Sequence, residues 1–240
     1  MDARPISAVP AGVRWALAGA LLLQLLWRHG HPPPEARARA LPPAPSAAAL
    51  RVLSLGEPLA MSKALMLYLQ AYDDQDGASL RWGELDYATL EAWLDTALAL
   101  DPRAQYPLLA ASQVYAGAAD PARVRRMLDF VARRFEEDPN RRWPWLAQAA
   151  LVARHRLRDL PLARRYAAAL RLRATGPGVP AWARELEIFI AEDMNELDSA
   201  NALTGALLHS GRITDPHELA FLAARLERIA ASQKEAAGHP

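Results

Sequence analysis

The acidic residues are the first place to look for chemistry in this chain. Residues 73–77 read DDQDG, a composition typical of calcium-binding loops. If Gly77 is aligned with the invariant glycine of such a loop, its twelfth position falls on Gly83, where calcium requires a bidentate carboxylate. We therefore interpret this run as an acidic turn at the end of a helix, and we predict no metal site here.

The histidines and possible nucleophiles give no better constellation. His217-Glu218 begins a helical zinc motif, but position 221 is Phe where the second histidine is needed. His155 and His209 stand alone, cysteine is absent, and no serine lies in a nucleophile elbow. We predict no catalytic residues and no cofactor.

The densest unusual string is NRRWPW at residues 140–145. Tryptophan and arginine are the residues most enriched at the energetic centres of protein interfaces. The string has two interpretations: a partner-binding surface, or tryptophans packed between adjacent helices with solvated arginines beside them.

Charge is arranged in blocks. Residues 72–101 hold eight acids, residues 120–175 hold fourteen arginines and six acids, and residues 182–200 hold six acids. Pairing within the middle block, such as Asp129 with Arg133, leaves most of the arginines over. The sequence therefore predicts a basic middle surface that binds an acidic protein segment or a carboxy-terminus through bidentate guanidinium contacts. The predicted contact residues are Arg126, Arg141, Arg142, Trp143 and Arg165.

The amino-acid composition favours a helical fold and gives no indication of a nucleic-acid partner. The chain has 240 residues, 52% of them hydrophobic, and is rich in helix-forming alanine, leucine, arginine and glutamate. Its net charge of +1 gives no general attraction to nucleic acid, so no nucleic-acid partner is predicted.

Apolar residues recur at helical spacing from residue 50 onward. Leu90, Trp93, Leu94, Ala97 and Leu98 form one such stripe. The pattern predicts nine helices, at about Glu57–Tyr72, Leu85–Leu100, Gln105–Gly117, Pro121–Glu137, Trp143–Leu157, Leu160–Ala174, Ala181–Leu197, Ser199–Ser210 and Pro216–Ser232.

Paired helices repeat at a spacing near 37, the separation of Asp101-Pro102 from Asp138-Pro139. Short antiparallel helix pairs with alanine at close contacts resemble the tetratricopeptide repeat family. The best matches are Leu90, Leu94, Ala97 and Pro102, then Ala163, Ala167 and Leu170 after Trp145. The resemblance spans roughly residues 85–210 and implies a solenoid of helix–turn–helix repeats whose concave face binds protein segments.

The apolar run WALAGALLLQLLW predicts a membrane helix within residues 6–27, with Trp15 and Trp27 at the two interfaces. A cleaved signal peptide is the alternative, because the clean apolar core is short. With its anchor and spacer, the chain resembles a group of bacterial inner-membrane proteins. We expect a single-pass protein there with the C-terminal module in the periplasm.

The predicted organisation is a membrane anchor at 1–28, a Pro/Ala-rich linker at 29–49, an all-α helical repeat domain at 50–235 and a tail at 236–240. Gly12, Ala16 and Ala20 form a small-residue face through which two anchors could form a homodimer. The predicted function is that of a membrane-anchored adaptor or scaffold that binds a protein. The alternative is a membrane-associated enzyme with an unrecognised site in its helical domain.

Overall fold

The computed structural model describes residues 10–30, 40–72, 85–211, 213 and 215–237, with side chains up to residue 233. Throughout this described part the regular elements are helical and no strand occurs, which confirms the predicted all-α class. The predicted acidic turn at 73–77 and residues 31–39 of the predicted linker lie outside the described residues.

The helices follow the chain in the order given by their bounds: α1 Ala11–Gly30, α2 Ala47–Leu53, α3 Pro58–Tyr72, α4 Tyr87–Leu100, α5 Tyr106–Leu109, α6 Pro121–Phe135, α7 Pro139–His155, α8 Leu160–Arg173, α9 Ala181–Asp193, α10 Leu197–His209 and α11 Pro216–Ala237. After α5 the chain continues through a π turn, Ala110–Val114, and a 3-10 turn, Tyr115–Gly117.

Aspartates at N-cap positions begin several helices. The Asp86 carboxylate accepts hydrogen bonds from the amides of Ala88 and Thr89 at 3.2 and 3.0 Å. These bonds, after the one from the Thr89 hydroxyl, lower the pKa of Asp86. Asp120 accepts from the Ala122 amide at 2.9 Å, with proline at the first position of α6. The caps satisfy amides that have no partner within the helix.

Three elements differ from the prediction. Helix α7 begins at Pro139 rather than Trp143 and carries Pro144 inside its first two turns. The predicted single helix at Gln105–Gly117 is instead α5 followed by the π and 3-10 turns. A short helix, α2, lies where none was predicted, and Ser46 caps it.

The chain divides into two units, one of which contains α1. This helix has no buried residue, and its leucines and both tryptophans are exposed. Among the described helices, none alone has the length and apolar character needed to cross a bilayer. Helices α2 and α3 meet those two requirements only when they are taken together, and they meet at a bend of 116°.

The other unit contains α2 to α11 and has two groups of buried apolar residues. The larger group runs from Leu41 to Ile190, and the smaller one joins α9, α10 and α11. Packing starts before the predicted domain boundary at residue 50. Leu41 is buried, and the Trp93 indole N–H donates to the carbonyl of Pro42 at 2.8 Å.

Helix α3 packs on α4 through one face. The Ser62 hydroxyl donates to the carbonyl of Ala97 at 2.9 Å, and Leu65 and Met66 are buried. The ring of Tyr68 stacks on Trp93 with centroids 5.1 Å apart. On another face of α3, Leu59, Lys63 and Leu67 are exposed.

Candidate functional site

The predicted basic middle surface is largely paired within the protein. On α6, the Arg126 Nε atom lies 2.7 Å from a Glu91 carboxylate oxygen on α4, and Arg133 pairs with the other oxygen. Arg134 contacts Asp95 on α4 at 2.6 Å. We call these five residues the α4–α6 ion-pair network. Arg126, predicted to contact a partner, therefore already has a carboxylate partner.

Similar pairs continue from α6 to α8 and from α8 to α9. Arg125 on α6 lies 2.5 Å from Asp159, which begins α8. Arg171 lies 2.7 Å from Glu187 on α9. The first of these contacts, and then the Leu162 amide, lower the pKa of Asp159. The acids that pair with the arginine-rich block come about equally from the block itself and from the acidic blocks on either side of it in the chain.

Arg142 is in the interior. It is 1% exposed, and its guanidinium donates to the carbonyl of Pro102 at 2.8 Å, to the carbonyl of Arg134 and to the carboxylate of Glu137 at 2.7 Å. Residues 102, 134 and 142 belong to three successive parts of the fold. Arg142 therefore joins neighbouring helices and presents no surface to a partner.

The remaining predicted contact residues are at the surface. Arg141 is exposed and pairs with Asp138, one turn earlier, at 2.9 Å. Arg165 is exposed on α8, where its charge acts on Asp159 and Tyr166. Trp143 is half-buried. The five predicted residues thus do not form one basic surface: Arg126, Arg141 and Arg142 already pair with acids within the protein, and Trp143 and Arg165 lie on different helices.

A different group of side chains lies near the starts of alternate helices. Tyr106, Trp143, Trp145 and Trp182 lie in the first two turns of α5, α7 and α9, and we call them the aromatic row. The indole N–H of Trp145 donates to Gln105 at 2.6 Å, beside Tyr106. Trp143 meets Trp182 edge to face with centroids 5.4 Å apart. Tyr106 is 38% exposed and Trp182 is 47% exposed.

The aromatic row continues into an apolar groove between α3 and the chain leading into α5. Tyr106 lines this groove, and its hydroxyl accepts a hydrogen bond from Gln70 on α3. The groove has a volume of about 430 Å³, and its walls are mainly Met66, Leu67, Ala104 and Pro107. Row and groove together offer exposed aromatic and apolar surface on α3, α5, α7 and α9.

The loop before α9 is fixed to α7 beside the aromatic row. The Gly176 amide donates to the Asn140 side chain at 2.7 Å. A Cβ atom at position 176 would lie 2.9 Å from the Asn140 side chain, so any larger residue there would displace that side chain. The contact holds the start of α9, and hence Trp182, against the first turn of α7.

The sequence prediction missed Tyr106 and Trp182, although a pattern could have revealed them. Tyr106, Trp143 and Trp182 are 37 and 39 residues apart, close to the predicted repeat length. Aromatics that recur at that spacing fall at equivalent places in successive helix pairs.

The titratable groups form no evident reaction centre in the described part of the chain. No three histidine, aspartate or glutamate side chains there are grouped so that they could hold a metal ion. Glu185 is buried, with one carboxyl oxygen lacking a hydrogen-bond partner, and burial raises its pKa. Arg184 and Arg225 lie near enough to oppose that rise, as charges that favour the ionised form.

Comparison of the chain with models of known families, with curated proteins and with solved structures finds no match.

Proposed function

We propose that this protein is a membrane-anchored adaptor whose helical unit binds an extended protein segment along the aromatic row. The row is the observation that carries the proposal. Aromatic side chains that stay exposed beside an apolar groove offer a partner large contact area at little entropic cost. An apolar side chain of the segment would occupy the groove at Tyr106, and the chain would continue past Trp143 to Trp182.

The proposed repeat architecture rests on the separation of contacting residues. Polar contacts between α4 and α6, α5 and α7, and α9 and α11 join residues 35, 40 and 33 positions apart. Arg158 and Asn195, both with positive φ and both just before a helix, are 37 residues apart. Both observations favour tetratricopeptide-like pairs stacked in order, with the aromatic row on every second helix.

The proposed segment carries an acidic side chain near α7. Arg141 lies one helical turn before Trp145 on α7, and its carboxylate partner Asp138 is itself at the surface. An exposed pair of this kind contributes little to stability, so a carboxylate of the segment can replace Asp138 at small cost. Arg141 and Trp143 are thus the two residues of the predicted set that enter this surface.

The proposed anchor is α1, in a bacterial inner membrane and with the helical unit in the periplasm. Its unburied apolar side chains and its tryptophans at positions 15 and 27 support this, while the predicted span of 6–27 begins before the described residues. The face formed by Gly12, Ala16 and Ala20 would allow two anchors to pair. A reporter fused after Pro240 that is active only in the cytoplasm would overturn the proposed orientation.

The test of the binding surface is site-specific photo-crosslinking in the cells that produce the protein. A photoreactive phenylalanine analogue replaces Tyr106 in one variant and Trp182 in another, which keeps an aromatic ring in each place. A third variant carries it at Leu172, exposed on α8 and outside the row.

We expect one and the same protein to be captured from positions 106 and 182, and not from 172. Adding Trp143→Ala to the variant that carries the analogue at 106 should reduce that capture at least tenfold. Equal capture from all three positions, or capture from 172 alone, would overturn the proposed surface.

A further inference from the structure

The turn between α2 and α3 exposes large aliphatic side chains that the fold does not use. Leu55 is 93% exposed and Val52 is 78% exposed, and Leu53 and Leu59 are also exposed. We call these four residues the aliphatic tip. Single exposed leucines are common on proteins, but four aliphatic side chains within eight positions at one turn form a patch.

The backbone at the tip is closed by local hydrogen bonds. The Ser54 hydroxyl donates to the carbonyl of Arg51 at 2.7 Å, and the Glu57 amide donates to the carbonyl of Ser54 at 2.9 Å. Leu55, with φ of 51°, and Gly56, with φ of 95°, both lie in the left-handed region.

Leucine is an unfavourable residue at position 55 for two reasons. A left-handed backbone favours glycine or asparagine, and full exposure to water favours a polar side chain. Folding of this turn would therefore be better served by asparagine or glycine at position 55. The leucine is accounted for if its side chain leaves water when the protein meets something else.

We propose that the aliphatic tip inserts into the surface of an anionic membrane. The four side chains of the tip are all aliphatic and exposed, whereas protein interfaces centre on tryptophan, tyrosine and arginine. The exposed Arg51 and Lys63 flank the tip and outnumber the one exposed acid within it, Glu57, and the Arg51 guanidinium also donates to the carbonyl of Ala99. Aliphatic side chains between two cations match acyl chains beneath anionic headgroups.

The insertion is shallow. Helix α3 stays packed on α4 through Ser62, Leu65 and Met66, so it cannot enter the bilayer while that packing persists. The exposed side chains from Val52 to Leu59 take no part in this packing. The tip is therefore a peripheral contact that holds the α2–α3 end of the helical unit at the headgroup level.

The inference rests on the proposed function, because the proposed anchor α1 keeps the helical unit near the lipid. Ten residues separate Gly30 from Leu41, where packing begins. Such a length of chain reaches at most about 35 Å. The tip would add a second attachment that limits how the unit turns on this tether.

The absence of cysteine makes a direct test straightforward. The full chain is prepared as Leu55→Cys and, as a control, as Leu172→Cys, each labelled with an environment-sensitive fluorophore. Both are reconstituted into vesicles of phosphatidylethanolamine and phosphatidylglycerol that contain spin-labelled lipid. We expect a blue shift and at least twofold quenching at position 55, and neither effect at 172. The further change Leu53→Asp should remove most of the quenching at 55.

Each other outcome has a definite meaning. If the label at position 55 is not quenched on chains that float with the vesicles, insertion of the aliphatic tip is contradicted and membrane anchoring by α1 is not. Equal quenching at 55 and 172, or a blue shift at 55 without quenching by lipid, also overturns the tip, the second by indicating contact with protein. If the chains do not float with the vesicles, both insertion of the tip and anchoring by α1 are contradicted. Photo-crosslinking at 106 and 182 tests the segment-binding surface separately.

Discussion

The α4–α6 ion-pair network and the aromatic row lie on alternate helices of the same unit, and their side chains are used differently. Each charged side chain of the network has an opposite charge within the protein. In the row, Tyr106 and Trp182 keep over a third of their area in water although both touch neighbouring side chains. In the network the charged side chains hold two helices together, whereas in the row part of each exposed ring remains available for contact with a partner. The arginine-rich part of the sequence therefore marks the surface that stabilises the fold. The proposed binding surface lies on other residues.

The largest expected effect comes from breaking the buried connection between the two regions. Arg142→Ala removes the guanidinium that donates to the carbonyls of Pro102 and Arg134, and it leaves Glu137 with Arg134 as its remaining partner. We expect a loss of about 3–5 kcal/mol in the free energy of unfolding, because a large buried side chain is removed and a carbonyl loses its donor. Urea unfolding in detergent, followed by circular dichroism, measures it. Arg141→Ala is the matched control, and an equal loss in both variants would contradict the assignment of Arg142 to the interior.

Glu91→Gln is the next largest change and acts on the network alone. It removes the carboxylate that both Arg126 and Arg133 contact. We expect a loss of about 1–2 kcal/mol at low salt and a smaller loss at high salt, because exposed guanidinium groups are screened. The urea midpoint at two salt concentrations measures this, together with photo-crosslinking from position 106. Capture of the partner should persist. If it disappears while the protein stays folded, the two regions are not separate in function.

Acid should weaken the pairs that join α6 to α8. Arg125 and then the Leu162 amide lower the pKa of Asp159 below its ordinary value of 3.8. A carboxylate with a lowered pKa contributes its full stabilisation above the ordinary value and loses it as the pH falls through the lower folded value. Asp159→Asn should thus cost about 1 kcal/mol at neutral pH and progressively less as the pH falls below 3.8. A difference that is independent of pH would contradict this assignment.

Trp182→Ala should have the smallest effect on stability. Nearly half of this side chain is in water, and its main contact is the edge-to-face pairing with Trp143. We expect a loss of less than about 1 kcal/mol in the free energy of unfolding and at least a tenfold loss of partner capture. A large loss of stability with unchanged capture would identify the aromatic row as a packing feature.

The sequence predicted the position of a helix correctly where residues next to its end specify that end. Helix α6 was predicted at Pro121–Glu137 and lies at Pro121–Phe135, because Asp120 and Pro121 specify its start. The start of α7 was placed late, because Asp138-Pro139 was interpreted as the end of one helix when it also begins the next. The π turn after α5 has no sequence pattern that distinguishes it from an ordinary helix.

The candidate site could not be predicted from charge counts, because pairing depends on which helices are neighbours. The arginine-rich block has fewer acids than arginines, so a count within the block leaves Arg126 without a partner. In the fold, Arg126 pairs with Glu91, which lies 35 residues earlier in the chain. Comparison at a fixed separation of 35 to 40 residues would have found this pair and the recurrence of Tyr106, Trp143 and Trp182.

The two groups of buried residues have a consequence for how the protein opens. Helix α9 contributes Ala183 and Ile190 to the larger group and Ile188 and Ala191 to the smaller one, whereas α10 and α11 contribute to the smaller group alone. In the described part of the chain, α10 and α11 can therefore separate from α9 without disturbing the larger core. Backbone amides in these last two helices should exchange with deuterated solvent earlier than those in α6 and α7, and limited proteolysis should cut this end first.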